Sequence, residues 1–156
     1  MLVLLADSFD RSATAQNTIE RALNGQTCKQ PSGGLSSIAA CDRLVSSGRY
    51  TGHALAVILN GRGLLRFKDG ETEGALADYN VTIVADEGLG APYYNRGLAF
   101  VQFHRLREAT DSFGEAGRRV PDKAAIWYNR GVARVMTGDF KDALPDFDRA
   151  IALDPR

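Results

Sequence analysis

Tyr93-Tyr94-Asn95-Arg96-Gly97-Leu98-Ala99-Phe100 is answered 34 residues later by Trp127-Tyr128-Asn129-Arg130-Gly131-Val132-Ala133-Arg134. From each glycine, 12 residues on stands a small residue (Ala109, Ala143). At 16 residues on stands an aromatic (Phe113, Phe147), at 19 an alanine (Ala116, Ala150), and at 24 a proline (Pro121, Pro155). Stepping back 34 from Gly97 gives Gly63, followed at the same offsets by Ala75, Tyr79 and Thr82. An internal repeat of this length fixes the architecture before any single element is considered, because each unit must shelter its apolar face on the next.

One copy can be read from its residues. Ala124 to Thr137 places Trp127, Val132, Ala133, Val135 and Met136 at helical spacing. Gly138 can take the left-handed conformation that closes a helix. Asp139 can cap a second helix, with Asp142 in its first turn. Ala143, Phe147, Ala150 and Ile151 recur on one face, and Asp154-Pro155 stops the helix. Gly131, Ala143 and Ala150 leave room for two helices to approach, and Phe147 fills the space beside them. The unit is a helical hairpin with an apolar face that it cannot bury alone.

These residues resemble the tetratricopeptide repeat family, with its aromatic-Gly first helix, its Ala-Phe-Ala second helix and its closing Pro. The resemblance covers about residues 56–156. It implies an all-α, right-handed solenoid of stacked antiparallel helix pairs, with units at 56–89, 90–123 and 124–156. Residues 16–55 read as a degenerate opening pair or cap: a short helix at 16–24, a Gly/Ser/Pro-rich loop at 26–34, and a helix from Leu35 to Ser47. Cys41-Asp42-Arg43-Leu44 with Ser47-Gly48-Arg49 is similar to the entry segment of bacterial members of the family.

Composition narrows the function classes. Lys plus Arg and Asp plus Glu number 19 each, so the formal charge is zero. The pI is about 6.7. No basic excess invites nucleic acid. No apolar run reaches the length of a membrane span. The start, Met1-Leu2-Val3-Leu4-Leu5-Ala6, is apolar and is followed by Ala13-Thr14-Ala15, a small-x-small pattern. Residues 1–15 therefore read as the remnant of an export signal or as a disordered segment, although Asp7 and Asp10 interrupt the pattern. Cys28 and Cys41 are the only cysteines. Bonded, they would close a loop of about 14 residues, worth about 3 kcal/mol in the chain-entropy model, and would fit an oxidising compartment, periplasmic or secreted. The alternative is that Cys41 is a small buried residue between helices. His53 and His104 are too distant from the cysteines to make a metal site.

The irregularities carry expectations. Asn60-Gly61 would suggest a turn elsewhere, but the 34-residue register puts it inside a helix running from about His53 to Lys68. Gly61-Arg62-Gly63 lacks the preceding strand that a phosphate loop needs. In the middle copy His104 stands where Gly70 and Gly138 end the other first helices. The second helix of that copy carries Gly114 and Gly117, which predict the softest full-repeat element. Pro145 inside the last helix should face solvent.

Function is expected on the first helices, which line the concave side in stacked hairpins of this family. Counting from the three glycines gives Val57, Asn60, Leu64, Phe67 and Lys68, then Ala91, Tyr94, Leu98, Val101 and Gln102, then Ala125, Tyr128, Val132, Val135 and Met136. The face is largely apolar, which marks an interaction site for a peptide or helix of a protein partner. The alternative is that the first helix of the chain, or another subunit, covers it. Some members of the family hold acidic chaperone tails in a clamp of lysine, arginine and asparagine. Of that clamp only Asn95 is matched here. Asn60, Leu64, Ala125 and Asn129 occupy the other positions and bring no positive charge. Arg62, Arg96 and Arg130 recur just before the glycines, and Asp78 and Asp146 lie 16 residues beyond the first and last of them. Inter-helix ion pairs are predicted, looser in the middle copy, where Ser112 takes the aspartate's place. No catalytic motif, metal set or cofactor site emerges, so the expectation is a binding module that is not an enzyme. A structural, self-associating array is the alternative, through a C-terminal end where Phe147, Ile151 and Leu153 lack a following pair.

Overall fold

The computed structural model describes residues 37–155. The expected helix at 16–24, the loop containing Cys28 and the segment 1–15 lie outside the described residues. Among the described residues seven helices follow one another: α1 Ile38–Ser46, α2 Gly52–Lys68, α3 Thr72–Ala85, α4 Gly90–Gln102, α5 Leu106–Arg119, α6 Ala124–Thr137 and α7 Phe140–Leu153. No strand occurs among the described residues. The second helices start at Thr72, Leu106 and Phe140, a spacing of 34.

The three repeat glycines sit at equivalent crossings. A Cβ on Gly63 would lie 2.6 Å from Cε1 of Tyr79, one on Gly97 2.5 Å from Cε1 of Phe113, and one on Gly131 2.8 Å from Cε1 of Phe147. Each glycine is thus the floor on which the aromatic of its second helix lies. Ala75, Tyr79, Ala109, Phe113 and Ala116 are completely buried around these crossings. Thr82, which replaces the alanine of the other copies, is equally buried and donates its hydroxyl to the Asp78 carbonyl at 2.8 Å. That bond removes the penalty of burying a polar side chain.

Neighbouring hairpins share the core. Tyr93, Phe113 and Ile126, from α4, α5 and α6, form one cluster with Ala109, Ala116 and Ala133. Ala75, Leu76, Tyr79 and Ala99 join α3 to α4. Ala40, Cys41 and Ile58 join α1 to α2. Every hairpin therefore buries apolar surface on the next, and the architecture is an all-α solenoid.

Helix ends follow local chemistry. Ser37, extended at φ −141°, caps α1 by accepting from the Ala40 N–H at 3.2 Å, so the helix starts at Ile38 instead of at Leu35. α2 runs unbroken through Asn60-Gly61, as the repeat register requires. Each first helix ends with the same wrapped carbonyl: Glu71 N–H to Arg66 O at 2.8 Å, Arg105 N–H to Phe100 O at 2.9 Å, and Asp139 N–H to Arg134 O at 2.9 Å. This closure needs a left-handed residue just before the donor. Gly70 and Gly138 supply φ +84° and +87°, and His104 is held at φ +55°. Pro145 is exposed, within an α7 that runs unbroken past it.

Gly114 and Gly117 have different roles. A Cβ on Gly114 would meet only Arg130 Nη1 at 3.6 Å, whereas one on Gly117 would press on the Trp127 ring at 3.1 Å. Gly117 is the seat of that indole, and only Gly114 is a vacant helix position.

Candidate partner-binding face

The first helices α2, α4 and α6 are linked by side-chain bonds that recur from one repeat to the next. Asn95 Nδ2 donates to Asn60 Oδ1 at 3.0 Å, and Asn129 Nδ2 donates to Tyr94 Oη at 3.0 Å and to its own helix at Ala125 O. The polar atoms that could greet an acidic ligand are thus partly spent on neighbours. Tyr94 lies against Phe113 at 5.8 Å, as Tyr128 lies against Phe147 at 6.0 Å. Burial pushes the Tyr94 phenol up, with the Asn129 bond opposing it.

Exposure along this face rises toward the C-terminal end. Leu64 is 36% exposed, Val135 40%, Met136 49% and Tyr128 56%. Lys68 and Gln102 are exposed, and Gln102 Oε1 accepts from Thr72 Oγ1 at 3.2 Å. Asn60, Phe67, Tyr94, Leu98, Val101 and Val132 are half-buried. Phe67 packs against the α3–α4 cluster, and Leu98 and Val101 against the central one. Val57 corrects the expectation: it is buried, as are its neighbours Ala56, Ile58 and Leu59. Four consecutive residues take up a full turn of helix, so α2 is enclosed all round there and offers a partner nothing. Lys123, not anticipated for this face, sets its ammonium 5.5 Å from the Tyr94 ring.

The arginine file points into the hairpins. Arg62 donates to Asp78 at 2.6 and 3.0 Å, and Arg130 donates to Asp146 through Nε at 2.9 Å and through Nη2. Both aspartates are buried. Fork-on-carboxylate geometry gives such pairs direction as well as charge. The hydrogen bond to Asp78 raises the Arg62 guanidinium further above its already high range, against the cost of burial. Arg62 also donates to Asp42 of α1 at 2.7 Å. Sequence reading missed the second arginine of each set. Arg66 meets Asp78 at 2.9 Å and Arg134 meets Asp146 at 2.6 Å. The signal was available: these two residues are 68 apart, twice the period. In the middle hairpin the register gives Phe100 for the second arginine and Ser112 for the carboxylate. Arg96 bonds there to Ser112 Oγ at 3.2 Å and Asn80 Oδ1 at 3.0 Å, and desolvation pulls its guanidinium down. The looser central pairing is therefore observed.

Cys41 is completely buried, and its expected partner Cys28 lies outside the described residues. No cluster of His, Cys, Asp and Glu suited to a metal occurs among the described residues. No described helix is long and apolar enough to cross a membrane.

Comparison with known proteins bears on both repeats and face. The family model described as Tetratricopeptide repeat matches residues 94–156. Tetratricopeptide repeat protein 36 of Mus musculus is 36% identical over 58 residues, covering 37% of this chain and 31% of that protein. The chain thus spans no more than about a third of the length of the curated relatives it matches. Among solved structures, the second TPR domain of human RPAP3, determined with the HSP70 peptide SGPTIEEVD, is 28% identical with TM-score 0.64, covering 66% of this chain and 86% of that one. MamA, at 17% identity and TM-score 0.70 over 87% of this chain and 73% of that one, shows the same fold. Repeat period, glycine–aromatic crossings, helix order and these likenesses agree: residues 94–156 are tetratricopeptide repeats, and the described helices as a whole have the fold of that family.

Proposed function

We propose that the chain is a scaffold that holds an apolar segment of a protein partner, helical or extended, along the face of α2, α4 and α6, and that it performs no chemistry of its own. A peptide-binding role has a precedent in the RPAP3 domain and its bound HSP70 tail. The observation that carries the finer reading is the contrast on this face. Leu64, Tyr128, Val135 and Met136 are open to solvent, while Asn95 and Asn129 are turned to Asn60 and Tyr94. A reader of acidic tails needs free cations and amides. A holder of an apolar segment needs open aromatic and aliphatic side chains with few free polar groups.

The test is fluorescence anisotropy with labelled peptides: SGPTIEEVD on one side, and a set of amphipathic helical and extended apolar peptides on the other. Saturable binding is expected within the second set, weakened at least about tenfold by Met136→Glu, since a charge placed in an apolar contact commonly costs more than 1.4 kcal/mol. Tight binding of SGPTIEEVD alone, or indifference to Met136→Glu, would overturn the proposal.

A further inference from the structure

The outer face of α7 is unlike its counterparts. Phe140, Leu144 and Ile151 are 66%, 63% and 62% exposed. Their register equivalents in the first hairpin are Thr72, Leu76 and Ile83. Thr72 and Leu76 are buried, and Ile83 packs against the cluster that contains Tyr93 of the next hairpin. In the second hairpin they are Leu106, Thr110 and Gly117, and Gly117 lies under Trp127 of α6. The same face is twice an internal interface and once an open one.

Helical geometry puts Phe140, Leu144 and Ile151 within about 40° of one another around the axis. Lys141 and Asp148 lie seven residues apart, on one flank of that stripe. Both are exposed, and neither forms an ion pair among the described residues. Two copies of this helix laid antiparallel about a two-fold axis would bring like flanks together with their directions reversed. Lys141 of one copy would then face Asp148 of the other, twice over, while Phe140 would approach Ile151 and Leu144 would lie near the axis. We propose that the α7 face is the interface of a homodimer, isologous and closed by this two-fold. The continuity of the face with two internal interfaces supplies the apolar contact. The lysine–aspartate flank supplies a self-complementary register, as a two-fold interface demands. The proposal is independent of the peptide-binding reading, which concerns α2, α4 and α6.

The experiment is the mass of the full chain in solution, by light scattering or sedimentation, over a concentration series. A finite dimer is expected. Leu144→Glu is expected to yield monomers with unchanged circular dichroism and unchanged peptide binding. Lys141→Glu and Asp148→Lys should each raise the dimer dissociation constant at least about tenfold, because each change acts at two symmetric places. The double variant should recover the dimer. A monomer at all concentrations, a dimer indifferent to Leu144→Glu, open-ended polymers, or a double variant no better than the singles would each overturn the proposal.

Discussion

Alanine at Gly97 and alanine at Gly114 should move stability in opposite directions, although both glycines are buried inside helices. In a helix interior alanine is favoured over glycine by about 1 kcal/mol. At Gly114 nothing opposes that gain, because the new methyl would meet only the end of Arg130 at 3.6 Å, an ordinary contact. At Gly97 the methyl would lie 2.5, 2.7 and 2.9 Å from Cε1, Cδ1 and Cζ of Phe113. That ring is completely buried and has Tyr94 beside it, so it has nowhere to retreat. Overpacking of this kind costs about 1–3 kcal/mol, and three overlapping atoms place it at the upper end. The net expectation is a loss of about 2 kcal/mol for Gly97→Ala and a gain of about 1 kcal/mol for Gly114→Ala. For a chain of this size those changes correspond to melting shifts of about −6 °C and +3 °C. Thermal and urea unfolding followed by far-ultraviolet circular dichroism reads both. A Gly97→Ala variant as stable as the parent would refute the claim that a ring resting on bare backbone sets the hairpin spacing. Gly63→Ala and Gly131→Ala should behave like Gly97→Ala.

Further outcomes follow from single residues. His104 holds a left-handed conformation that its counterparts leave to glycine, so His104→Gly should raise stability by about 1 kcal/mol in urea titration. The Tyr79 hydroxyl is buried and has no hydrogen-bond partner among the described residues, and Tyr79→Phe should be neutral or stabilising by about 1 kcal/mol. Burial pushes the Tyr79 phenol above its ordinary value of 10.0. The folded state then keeps a proton that the unfolded chain releases, so stability should fall as pH rises past about 10. Tyr79→Phe should make that fall shallower, as read by unfolding at a series of alkaline pH values. We propose that Cys28 and Cys41 are joined. Thiol titration of freshly isolated, denatured native chain should then find no reactive thiol before reduction and two after it. Two thiols before reduction would refute the bond.

Much of the fold was legible because the repeat states each rule three times. Gly63, Gly97 and Gly131 with Tyr79, Phe113 and Phe147 announced the crossings, and Arg62 and Arg130 with Asp78 and Asp146 announced the pairs. Less legible was whatever depends on one copy's neighbours. Val57 occupies a lining position by register, yet the enclosed stretch Ala56–Leu59 removes it from the surface. Lys123 precedes its helix, so no count from a glycine could place it over Tyr94. The bonds from Asn95 to Asn60 and from Asn129 to Tyr94 span 35 residues, one more than the period. A comparison of equivalent positions therefore passes over them. α2 begins at Gly52, one turn earlier than the register of α4 and α6 would give, a difference that the repeat count does not carry.

The two aspartates that each collect arginines from successive turns also act as ratchet pawls. A helix can slide along its partner only in steps of about one turn, roughly 5.4 Å. Such a step would tear Asp78 from both Arg62 and Arg66, or Asp146 from both Arg130 and Arg134, at once. The outer hairpins are thereby fixed lengthwise. The central one, with a serine in the pawl's place and Arg96 bonded to Ser112 and Asn80, has no carboxylate catch of this kind.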